Sequence, residues 1–201
     1  MNNELIYLGP TLPSHRLVLL HGWGADAEDL IPLGELLIDS NVRKFELISL
    51  RAPHNHPQGI GRQWYGLFPP DWDAVPYERS CLRKRLRALA TDQVPLEKTV
   101  LLGFSQGGAM ALASGCDLPL AGVIGCSAYP HPNWSPSKTR PPVFLTHGIF
   151  DEVVPLTASE KIIDQLKEDK LEVQLEKFKG GHEIPSQIVP SLIQVLNKWL
   201  N

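Results

Sequence analysis

Thr99-Val100-Leu101-Leu102-Gly103-Phe104-Ser105-Gln106-Gly107-Gly108-Ala109-Met110-Ala111-Leu112-Ala113-Ser114 is the stretch that decides the fold. Apart from Thr99, its opening residues up to Leu102 are apolar, as expected of a strand buried on both faces. Its closing residues are small or apolar and suit a helix that packs closely. Between them, Gly103 to Gly107 matches Gly-x-Ser-x-Gly in the strand–turn–helix setting the pattern requires. A strand that passes so abruptly into a helix needs a sharp, strained turn. Ser105 is expected at its apex, with the hydroxyl raised above the carboxyl edge of a sheet. Glycines two residues either side remove Cβ atoms that would strike neighbouring backbone. The helix that follows aims its unpaired N–H groups at negative charge forming beside the hydroxyl.

A serine hydroxyl is a weak nucleophile at neutral pH and needs a histidine base, itself oriented by a carboxylate. With this elbow the chain order is serine, acid, histidine. The partners are therefore sought after Ser105, in loops at the carboxyl ends of later strands. Three of the seven histidines follow it. His182, in Gly180-Gly181-His182-Glu183 between a strand and the last helix, is the expected base. His131, in Tyr129-Pro130-His131-Pro132, reads as a plain loop residue, and His147 as a structural histidine at a strand end. Asp151 directly follows a strand and is the expected acid. Glu152, the runner-up, reads as solvent-facing; Asp164, Glu168 and Asp169 read as the solvated face of a helix. Two backbone N–H groups should hold an oxyanion. The expected donors are Gln106, next to the nucleophile, and Trp23, in Leu20-His21-Gly22-Trp23-Gly24. His21 precedes Ser105 and reads as a hydrogen-bonded support for that loop.

Working outward, apolar runs predict strands at 17–20, 45–50, 99–104, 121–127, 143–147 and 172–178. Helical spacing predicts helices at 26–38, 82–89, 106–114, 158–167 and 185–200. This alternation implies a mostly parallel sheet with helices on both faces. One domain over residues 1–201 is expected, without a separate cap. Residues 52–77, rich in proline and aromatics, fit no element. A loop this long is functional or disordered, and its aromatics argue for order. Trp64, Tyr65, Leu67, Phe68 and Trp72 are expected to line a binding cleft there.

Composition narrows the remaining classes. A net charge of −3 gives no reason to expect nucleic acid or an anionic membrane as partner. No apolar run approaches the roughly 18 residues of a spanning helix, and the start Met-Asn-Asn-Glu-Leu lacks the features of a secretory signal. Cys81, Cys116 and Cys126 have spacings of neither a disulfide framework nor a zinc site, so a cytoplasmic setting is expected. His54 and His56 could ligate zinc only with further ligands, and read as loop decoration. Arg79, Arg83, Arg85 and Arg87 read as a solvated, basic helix face. No metal or cofactor is expected.

Six motifs stand in order along the chain: Leu20-His21-Gly22-x-Gly24, Arg51-Ala52-Pro53, Trp64, Gly103-Phe104-Ser105-Gln106-Gly107-Gly108, His147-Gly148-x-x-Asp151 and Gly180-Gly181-His182-Glu183. Together they resemble the phospholipase/carboxylesterase family of α/β-hydrolases, which includes the acyl-protein thioesterases. The resemblance runs from about Leu17 to the C-terminus. It implies a serine esterase acting on carboxylic esters or acyl thioesters without metal or cofactor, its substrate a small-molecule or acyl-chain ester. The family's triad carries onto Ser105, Asp151 and His182, and its oxyanion donors onto Trp23 and Gln106. Many members have leucine where this chain has Trp23.

Overall fold

The computed structural model describes residues 5–39, 44–167 and 171–200. Its elements are β1 (Leu5–Leu8), β2 (His15–Leu20), α1 (Ile31–Asp39), β3 (Phe45–Leu50), β4 (His54–Asn55), β5 (Arg62–Gln63) and α2 (Val75–Ala88). They continue with β6 (Thr99–Phe104), α3 (Gln106–Gly115), β7 (Gly122–Cys126), β8 (Val143–Gly148), α4 (Thr157–Leu166), β9 (Val173–Phe178) and α5 (Val189–Trp199). The main sheet runs β1-β3-β2-β6-β7-β8-β9. Every pairing in it is parallel except β1 on β3.

Alternation along the strands divides the core. Val18 and Leu20 of β2 join the cluster formed with α2, α3 and α4, while Leu17 and Leu19 join the cluster formed with α1 and α5. Both faces are thus covered, which explains why the central strands read as unbroken apolar runs. From β2 the chain steps to β3 on one side; β6 then returns to β2's other side. Loops leaving β2 and β6 consequently part company at the carboxyl edge and open a crevice, the usual ligand position in such sheets.

Several boundaries differ from expectation for identifiable reasons. β1 was not expected: it is a short, half-exposed edge strand, pairing Leu5 with Leu50, with little periodic signal. α1 starts at Ile31 rather than 26, because Asp26 is used elsewhere. Its Oδ1 accepts the Ala27 N–H at 2.7 Å and an Arg51 Nε bond at 2.5 Å. α2 starts at Val75, inside the stretch read as loop, with proline in its first turn. Its arginines are not simply solvated: Arg79 and Arg83 both reach Asp117, and Arg79 Nε also donates to Ala113 O. A short 3-10 turn, Ser186–Ile188, precedes α5. Residues 52–74 are ordered around the β4–β5 hairpin, whose Arg62 exchanges backbone bonds with Gly24 and Ala25. Glu168 and Asp169, and the first four residues of the start, lie outside the described residues.

Candidate active site

Ser105 links β6 to α3 with φ 53° and ψ −119°, a conformation that costs a non-glycine residue about 1–3 kcal/mol. Its N–H donates to Cys126 O of β7 at 2.9 Å, which helps hold the strained turn. A Cβ on Gly103 would sit 2.2 Å from Gly107 O, and one on Gly107 would sit 2.2 Å from Leu20 O. Strand, helix and β2 therefore meet at distances only glycine permits.

The turn aims Ser105 Oγ at His182, whose Nε2 lies 3.0 Å away. His182 Nδ1 lies 2.8 Å from Asp151 Oδ2. The carboxylate can only accept there, so Nδ1 carries the proton and Nε2 is left to receive one from serine. Asp151 follows β8, its side chain wholly buried. Burial pushes the carboxyl upward, but the hydrogen bonds from His182 and from the Val154 and Val153 N–H groups outweigh it, holding Asp151 below the usual carboxylate range. Those N–H groups reach Oδ1 at 2.8 and 2.9 Å. Glu152, beside it, is exposed.

The two expected oxyanion donors flank the crevice, Trp23 after β2 and Gln106 at the first turn of α3. Among the described residues, neither N–H has a hydrogen-bond acceptor. An elaborate scaffold stands behind them. The Gln106 side chain accepts the Trp64 N–H at 3.0 Å and donates to Tyr65 O at 2.8 Å. The Trp64 indole donates to His21 O at 2.9 Å. His21 itself donates from Nδ1 to Gly22 O and accepts the Ala52 N–H at Nε2. Burial lowers its pKa, which keeps the ring in the neutral form these two bonds need.

A cleft of about 390 Å³ opens from Ser105 and His182. Trp23, Leu67, Phe68 and Pro70 form one side, and Val153, Val154, Pro155 and Ala158 the other, with Tyr129 also in the wall. The Trp23 indole is fixed by donation to Gln63 Oε1 at 3.0 Å and packs edge-on against His56 and Phe68. Of the five residues expected to line the cleft, the structure puts Leu67 and Phe68 in its wall. Trp64 and Tyr65, each 1% exposed, are instead core residues beneath it, and Trp72 lies outside the lining. The physical reason is hydrogen bonding: Trp64 serves His21, and the Tyr65 hydroxyl is held by Tyr129 at 2.7 Å and His131 Nε2 at 2.9 Å.

Sequence reasoning missed other members. His131 is no plain loop residue; it is 4% exposed, and burial pushes its pKa down to about 4. His147, by contrast, is the structural histidine at a strand end that its sequence position suggests, bonding Ser159 and Val154 O directly behind Asp151. Val153, Pro155 and Ala158 could have been suspected only from their nearness to Asp151 in sequence. His54 is drawn off to Glu78, and His56 is buried against Trp23. Among the described residues no three metal-ligating side chains gather.

Comparison with known proteins agrees with this architecture. The chain is 28% identical to acyl-protein thioesterase 1 of Saccharomyces cerevisiae, over 92% of this chain and 90% of that one. It is 34% identical to acyl-protein thioesterase 1 of Yarrowia lipolytica, over 75% and 77%. The crystal structure of esterase PE8 superposes with a TM-score of 0.86 at 29% identity, covering 98% of this chain and all of that one. A carboxylesterase from Bacillus cereus, at 19% identity and a TM-score of 0.84, shares the fold. The phospholipase/carboxylesterase family profile matches residues 2–200. This chain therefore belongs to the phospholipase/carboxylesterase family of α/β-hydrolases and is a serine hydrolase.

Proposed function

We propose that the protein hydrolyses carboxylic esters, and acyl thioesters of the same acyl groups, through a covalent acyl-enzyme on Ser105. The observation that carries this reading is the unbroken relay from Ser105 Oγ to His182 to buried Asp151, opening on an apolar cleft. His182 takes the serine proton as Oγ attacks the carbonyl carbon. The negative charge moves to the carbonyl oxygen, where the Trp23 and Gln106 N–H groups receive it. Asp151 keeps the imidazole tautomer correct and stabilises the imidazolium. His182 then gives the proton to the departing alcohol or thiol. Water repeats the cycle on the acyl-enzyme, releasing the carboxylic acid and restoring Ser105.

The cleft's lining favours an apolar acyl group, with Trp23 and Phe68 closing one side. Among the described residues, Cys81, Cys116 and Cys126 form no disulfide. Among the described residues no helix is long and apolar enough to cross a membrane. The test is a series of p-nitrophenyl esters of graded acyl length beside palmitoyl thioester, with fluorophosphonate labelling of the wild type. Turnover that peaks at one acyl length and is blocked by the label is expected. A folded protein that neither labels nor turns over any member would leave the scaffold without this activity.

A further inference from the structure

We infer that His147 is a positioning residue that sets the orientation and charge of Asp151. This rests on the hydrolase reading above. His147 lies in β8, four residues before Asp151, with its side chain fully buried. Its Nε2 lies 2.8 Å from Val154 O, which can only accept, so Nε2 carries the proton. Bare Nδ1 accepts a hydrogen bond from the Ser159 hydroxyl at 2.7 Å. α4 thereby fixes the tautomer from outside the loop. The same Nε2 stands 3.4 Å from Asp151 Oδ2, the oxygen that receives the His182 proton donor.

Two effects follow. Clamping Val154 O pins the residue whose own N–H holds Asp151 Oδ1, so both carboxylate oxygens depend on His147. The Nε2–H dipole near Oδ2 also withdraws part of the charge that makes His182 basic. The titratable groups facing the ring are Asp151 and His182 from the site and Glu160 from α4, the last paired with Lys177 of β9 at 2.7 Å. Burial favours the neutral form of His147 despite the Asp151 and Glu160 carboxylates, as this arrangement requires. A residue present only to fill the core would have no use for three aimed polar contacts.

The experiment compares His147→Phe with His147→Gln. Fluorophosphonate titration fixes the active-site concentration, and kcat and KM for p-nitrophenyl butyrate are followed from about pH 5 to pH 9. His147→Phe is expected to lower kcat per titrated site about 10–100-fold, the range seen for partners behind metal-bound histidines. KM should hold, and the acid limb should move to higher pH as Asp151 strengthens its pull on the imidazolium. His147→Gln, whose amide can still donate to Val154 O, should recover most of both. An unmoved acid limb with unchanged kcat per site in His147→Phe overturns the inference. Should that variant not fold, Ser159→Ala must shift kcat and the acid limb in the same direction, more weakly; an unchanged profile there overturns it equally. Wild type that does not turn over at all refutes the hydrolase reading itself, a distinct outcome.

Discussion

At the scale of single residues, the roles of the aromatic cluster separate cleanly. Phe68 is 72% exposed at the cleft and Trp64 is 1% exposed below it, though four positions apart. Phe68→Ala is expected to change the preference across acetate to laurate esters while leaving the urea midpoint nearly unchanged. Trp64→Ala removes a buried indole and the donor to His21 O, and should cost about 3–5 kcal/mol in urea unfolding. A destabilised Phe68→Ala with an unaltered ester profile would reverse these assignments. This is also where the sequence was least legible. Trp64 meets His21 from 43 residues away, and no local pattern distinguishes an aromatic that lines a cleft from one that braces the loop beneath it. His131 was misread for the same cause, its burial being created by Tyr65 and Trp72 from the other side of the site.

At the scale of elements, the turn between β6 and α3 governs the site. Ser105 stores strain there that glycine would not feel, so Ser105→Gly should be more stable than Ser105→Ala by about 1 kcal/mol, with both inactive. Equal urea midpoints would show that the turn is relaxed. Gly107→Ala should be far worse, since its Cβ would fall 2.2 Å from the carbonyl of Leu20. This turn was legible because its demands are local: an apolar strand, glycines at fixed offsets and a small-residue helix. The start of α1 was not. Asp26 looks like an acidic first turn, yet its carboxylate is committed to Ala27 and Arg51, the latter 25 residues distant.

At the scale of the whole molecule, three buried histidines make stability depend on pH. Burial lowers the pKa of His131, to about 4, and those of His21 and His147. In the unfolded chain each returns to the ordinary histidine value of 6.5. Between those values the unfolded state binds more protons, so stability is full above about pH 6.5 and falls as pH drops toward 4. His131 alone accounts for up to about 3 kcal/mol of that loss. Urea midpoints measured at about pH 7.5 and pH 5 should show the decline, and His131→Phe should flatten it; a midpoint indifferent to pH would mean the ring is not buried neutral. The parallel sheet was legible at this scale because strands covered on both faces carry unbroken apolar runs. Edge strand β1, half exposed, carries no such mark.

The central claim, an acyl-enzyme on Ser105 formed with His182 as base, is tested most directly by rapid-quench mass spectrometry. The wild type is mixed with p-nitrophenyl butyrate and digested. A burst of about one equivalent of nitrophenolate is expected, with a butyryl mass on the peptide containing Ser105. Neither should be seen with Ser105→Ala, and His182→Ala should slow the burst by several orders of magnitude. Undiminished turnover by His182→Ala, or an acyl mass on any other residue, would contradict the account.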